Sequence, residues 1–229
     1  MNFLFYKVLG KLFNFRNEEV PSFLLHELVH QGENFLPFTT SSLKFRALAC
    51  ICNDLVVNQR KNYLEFGAGL STILIARLIK KNGLEAHVYS LEEDKGWIEY
   101  IQHIIDIEGL TQFVTLFHLP THPSSSLSQA YIYDFEILKS QLDPSTHFDI
   151  ILVDGPAAWE KHKVNSRLGN AQFIANAIAP EATVFIDNAN REGEKKLVAK
   201  LSQDCQVKPI YIDPTFAVLV KGKHYNFIV

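Results

Sequence analysis

Tyr63-Leu64-Glu65-Phe66-Gly67-Ala68-Gly69-Leu70-Ser71-Thr72 is the stretch that decides the fold. Tyr63 to Phe66 reads as a short apolar strand, and Ser71 to Lys81 as an amphipathic helix. A glycine-rich turn joins them. Glycine lets a chain turn sharply and lets a ligand come close to the main chain. The following helix start presents free N–H groups. A side chain at Gly67 would occupy that approach. Spacing then separates two ligand classes. A dinucleotide turn wants a third Gly or Ala three residues after the second glycine, where this chain has Thr72. The acid before the first glycine, Glu65, suits a cationic ligand better than a pyrophosphate.

Working outward, Ala86 to Glu92 reads as a second strand ending in an acid. Glu92 lies about 20 residues past the glycines, where an open α/β fold places the carboxylate that takes ribose hydroxyls. The plainer alternative is a solvated strand end beside Glu93 and Asp94. Phe148 to Asp154 and Thr183 to Asn188 are further apolar strands with polar ends. Such ends describe one cleft at one edge of a sheet.

Helices are expected at residues 18–30, 43–57, 71–81, 95–108, 133–142, 171–178 and 192–201, with a Pro/Ser/His-rich loop at 119–128 and a polar loop at 155–169. Alternating strands and helices predict an α/β fold with a mostly parallel sheet covered on both faces. Val207 to Asp213 and Thr215 to Val220 are too close for a crossover helix, so they must be antiparallel. Residues 1–39 are expected to form a helical extension and 40–229 one domain.

Glu65-x-Gly67-x-Gly69 with the closing antiparallel hairpin resembles the class I S-adenosylmethionine-dependent methyltransferases. The resemblance spans about residues 40–221. Val153-Asp154-Gly155-Pro156, Arg167 and Asp187-Asn188-x-x-Arg191 are similar to O-methyltransferases of bacterial polysaccharides and secondary metabolites. The resemblance implies a Rossmann-like sandwich with a seven-stranded sheet. It implies that Glu65, Gly67, Ala68, Gly69, Ser71, Thr72, Glu92 and Asp154 hold S-adenosylmethionine. Asp154, Asp187 and Asn188 resemble the metal set of the divalent-cation-dependent members, which implies Mg2+. Against this, Gly155-Pro156 departs from the catechol-type pattern, and Ala157 stands where that pattern has a lysine base. Asp154 or His162 is then the candidate base. Trp159, Arg167 and Arg191 are candidate acceptor ligands, with packing or pairing to Asp154 and Asp187 as the plainer alternatives. The expected activity is O-methylation of a small polar acceptor such as a sugar or polyol. A metal-independent transferase, a binding module without catalysis, and an oxidoreductase are the rivals.

Bulk properties agree with a globular enzyme. The chain has 229 residues, 47% hydrophobic and 21% charged, with a net charge of −3. That charge gives no electrostatic case for nucleic acid. Cys50, Cys52 and Cys205 read as reduced thiols, which points to the cytoplasm. Met1 to Phe15 lacks the marks of a signal peptide. Its aromatics are expected to pack on this domain or on a second subunit, as in a homo-oligomer, rather than on lipid.

Overall fold

The computed structural model describes residues 19–31, 35–36 and 38–229. The expectation for Met1 to Phe15 lies outside these residues. The first elements are α1 (residues 19–29), α2 (Phe45–Val57), β1 (Asn62–Phe66), α3 (Leu70–Asn82), β2 (His87–Glu92) and α4 (Lys95–Ile107). Then come β3 (Val114–His118), β4 (Thr121–Pro123), β5 (Tyr131–Tyr133), α5 (Phe135–Gln141) and β6 (Phe148–Val153). The chain continues with α6 (Ala171–Ala177), β7 (Ile178–Asp187), α7 (Glu192–Cys205), β8 (Ile210–Asp213) and β9 (Phe216–Lys221).

Seven strands form one sheet in the order β3-β2-β1-β6-β7-β9-β8. β3, β2, β1, β6 and β7 run parallel. β9 is antiparallel to β7 and to β8, as the short spacing requires. Side chains alternate across the sheet. Tyr63, Val88, Ile150, Leu152 and Phe185 pack with α2, α3 and α4 on one face. Leu64, Phe66, Ile151, Val153 and Ile186 pack with α5, α6 and α7 on the other. Strand order reverses between β1 and β6, so the ends of β1, β2, β6 and β7 meet at one crevice.

α1 buries Leu25 and Leu28 in the first of these layers. Arg77 on α3 is 1% exposed. It donates to the Leu28 and Val29 carbonyls at the end of α1 and pairs with Glu108. A cation at a helix C-terminus satisfies its orphan carbonyls.

Four local expectations are corrected. The expected loop at 119–128 contains β4, which pairs with β5 through Thr121↔Tyr133 and Pro123↔Tyr131. Tyr133 therefore ends a strand, and Asp134 caps α5 by accepting from Glu136 N and Ile137 N. Ile178 starts β7 instead of ending α6, because Pro180 pushes Ala179 to an extended conformation. β8 starts at Ile210, since Pro209 has no N–H to give the ladder.

Candidate cofactor and acceptor site

The glycine turn carries the site. Gly67 has φ +94°, and a Cβ there would stand 3.1 Å from Gly155 N. A Cβ on Gly155 would stand 2.7 Å from Gly67 N and 2.6 Å from the Tyr133 hydroxyl. The two glycines thus let the turn after β1 press on the loop after β6. Gly69 differs: its φ is −178°, and a Cβ there meets nothing within 4 Å. This corrects the expectation for Gly67. Gly67 is needed by the fold, and the open approach to the main chain is at Gly69.

Glu65 lies fully buried beneath the turn. Its carboxylate accepts from Ser71 Oγ, Thr72 Oγ1, Ser90 Oγ and Tyr63 Oη. Burial raises its pKa, and the four hydroxyls oppose that. Thr72 Oγ1 also accepts from Gly69 N at 2.9 Å. Threonine therefore stands at that position because its hydroxyl links the turn to Glu65. Ser71 and Thr72 are buried as well, so these three side chains brace the turn from below.

Glu92, 7% exposed, accepts from Ala68 N at 3.1 Å and Asp94 N at 2.8 Å. Burial, then the neighbouring Glu93 charge, pushes its carboxyl up to about 7. Trp97 walls the turn, its indole N–H donating to Ala68 O at 2.8 Å. Its ring stacks on Tyr100 with centroids 5.3 Å apart.

Asp154 follows β6, Asp187 ends β7 and Asn188 follows it. Asp154 and Asp187 come one position beyond the register partners Val153 and Ile186, and Asn188 Nδ2 donates to Asp187. Burial raises both pKa values, and the partner carboxyl raises Asp154 further, against the opposing pull of Arg167. Two neighbouring buried carboxyls resist ionising together. Among the described residues no group of three or more His, Cys, Asp and Glu side chains is placed to hold a metal.

Arg167, an expected acceptor ligand, is 6% exposed. It donates to Pro156 O, Asp187 O, Asp154 O and Asp154 Oδ1. It ties the 155–167 loop to the ends of β6 and β7, so its pairing alternative is the one found. Beneath it Glu194 is fully buried, 3.7 Å from Arg167 and 3.9 Å from Arg191, and neither of its oxygens accepts a hydrogen bond among the described residues. Arg191 is partly exposed at the start of α7. His162 stands exposed, 3.5 Å from Glu160 and edge-on to Tyr131. Trp159 is 72% exposed.

Sequence reading passed over Glu93 and Tyr133. Glu93 accepts from Tyr133 Oη at 2.9 Å and Ala157 N at 2.8 Å. The only local signal was the run of three acids from Glu92 to Asp94, which does not say which one faces where.

Glu92, Asp154 and Asp187 thus stand at the strand ends beside the turn, with Glu65 buried beneath it. Acids at these strand ends suit a cationic ligand better than a pyrophosphate. Residues 64–189, more than half of the chain, match the family model described as a methyltransferase domain. No curated protein matches the chain. Solved structures with the same fold include the Streptomyces achromogenes O-methyltransferase TomG, involved in tomaymycin synthesis and crystallised with S-adenosylmethionine. It is 14% identical over 88% of this chain and 90% of its own, with a TM-score of 0.55. The Bacillus cereus O-methyltransferase in complex with S-adenosylhomocysteine is 17% identical over 90% and 91%, at 0.52. The S-adenosylhomocysteine-bound Podospora anserina methyltransferase PaMTH1 is 14% identical over 80% of each chain, at 0.55. No helix among the described residues is long and apolar enough to cross a membrane.

Proposed function

The chain belongs to the methyltransferase-domain family as a class I S-adenosylmethionine-dependent methyltransferase, and from that premise we propose that it methylates a hydroxyl oxygen of a small polar acceptor, a sugar, polyol or vicinal diol. The observation that carries the hydroxyl acceptor is the Asp154–Asp187 pair at the ends of adjacent strands. When bound, the cofactor supplies an electrophilic methyl group already activated on a sulfonium. The open main chain at Gly69 and the carboxylate of Glu92 fit it, Glu92 through the ribose hydroxyls. Glu65, Ser71 and Thr72 act from below by fixing the turn. The Asp154–Asp187 pair takes the acceptor's hydroxyl proton. We assign that role to the pair because the contacts of His162 are Glu160 and Tyr131. Trp159, exposed, and Arg191, partly exposed, contact the acceptor.

Asp154, Asp187 and Asn188 are a donor set of the type Mg2+ takes, provided the Asn188 amide turns its oxygen in place of the Nδ2 it now gives to Asp187. A cation there would favour the ionised carboxylates and lower the pKa of a coordinated hydroxyl. The metal-independent reading rests on Arg167, which already neutralises Asp154 at 3.1 Å. The test is methyl transfer from S-adenosylmethionine to a panel of monosaccharides, polyols and catechols, with Mg2+ and with EDTA. Transfer to hydroxyl compounds supports the reading. Transfer only to amines or thiols refutes the acceptor class, and full activity in EDTA refutes the metal.

A further inference from the structure

Glu92 and Glu93 are consecutive, and their side chains do different work. Glu92 reaches back to Ala68 N in the turn after β1. One oxygen of Glu93 reaches across to the loop after β6 and accepts from Ala157 N, and the other accepts from Tyr133 Oη at the end of β5. Tyr133 is 2% exposed, and its hydroxyl lies where a Cβ on Gly155 would go. The Gly67–Gly155 contact and the Arg167 bonds hold the start of the loop, at 154–156. Ala157 N is the last tethered main-chain donor before Ala158 and the exposed Trp159. Hydrogen bonds to a carboxylate are roughly twice as strong as neutral ones, so this tether is strong for its size.

We propose that Glu93 is a positioning residue that holds the Ala157–Trp159 segment in register with the cofactor strand, so that cofactor binding at Glu92 and the glycine turn is felt at the acceptor-side Trp159. The inference rests on the cofactor reading above. It assigns Glu93 no contact with either substrate. The Glu93 carboxylate serves two donors at once. A glutamine keeps one acceptor oxygen and turns an NH2 toward the other donor, and an alanine keeps neither.

Protein labelled with 5-fluorotryptophan gives one 19F resonance each for Trp97 and Trp159, assigned with Trp159→Phe. Titration with S-adenosylhomocysteine should move both resonances in the native protein. In Glu93→Gln the Trp97 resonance should still move to saturation while the Trp159 response is lost. Glu93→Ala should behave the same way, and Glu93→Gln covers the case in which the alanine variant does not fold. A merely structural role for Glu93 would leave the Trp159 response intact in any variant that folds. A native Trp159 that ignores the titration, a Trp159 response retained in Glu93→Gln, or loss of binding in that variant overturns the proposal. Failure of Trp97 to move in the native protein would instead overturn the cofactor reading.

Discussion

Alanine at Gly69 and alanine at Gly67 should fail in opposite ways. At Gly69 the backbone is extended and a Cβ meets nothing within 4 Å. Alanine is a poorer N-cap than glycine by roughly 0.5–1 kcal/mol. Its stiffer unfolded chain returns about 0.4–1 kcal/mol. The net is near zero, so Tm should stay within about 3 °C of the native protein. On the proposed cofactor reading the methyl group would stand in the space the ligand uses, and S-adenosylhomocysteine should bind at least about tenfold more weakly, about 1.4 kcal/mol. At Gly67 the φ of +94° lies outside what alanine tolerates. Strain of about 1–3 kcal/mol is expected. Contact at 3.1 Å with Gly155 N adds to it. For a chain of this length that lowers Tm by roughly 2–12 °C. Thermal melts and calorimetric titration of both variants give the answer. Native-like binding by Gly69→Ala, or an unchanged Tm for Gly67→Ala, would refute this division of labour.

Glu92 contributes a pH dependence of known sign. Its folded pKa of about 7 is above the unfolded value of 4.5. Folding therefore favours the protonated acid, and that stability is present below about 4.5 and lost as pH rises through 7, by roughly 3 kcal/mol. Glu92→Gln should flatten the denaturant-measured stability between pH 5 and 8, and an unchanged slope would contradict this. Asp187→Ala should keep S-adenosylhomocysteine affinity and abolish the calorimetric heat of Mg2+; persistence of that heat would remove Asp187 from the metal set. Gly193→Ala should destabilise by about 1–3 kcal/mol through overpacking, because its Cβ would overlap the Val164 carbonyl oxygen. A native-like melt would show that this segment yields.

Much of the fold is legible because its signals are local. Apolar strands ending in acids, the glycine turn, and stops such as Asn82-Gly83 with φ +60° at the glycine are each written within a few residues. The short β8–β9 spacing even dictates the antiparallel edge. The site is less legible because its contacts span the chain. Glu93 meets Tyr133 forty positions on and Ala157 sixty-four on. β4 lies in a segment whose Pro, Ser and His content reads as loop, and its partner β5 ends at Tyr133, where the spacing reads as a helix start. Arg167 looks like a cleft cation until four oxygens on three residues are found around it. The spacing at Gly67 and Gly69 likewise does not tell which glycine serves the fold and which the ligand.

Competitive calorimetry of the native protein with S-adenosylhomocysteine and NAD+ tests the central claim most directly. The crevice at the strand ends, with its open Gly69, should bind S-adenosylhomocysteine with one site per chain and give no heat with NAD+. Saturable NAD+ binding, with none for S-adenosylhomocysteine, would contradict it.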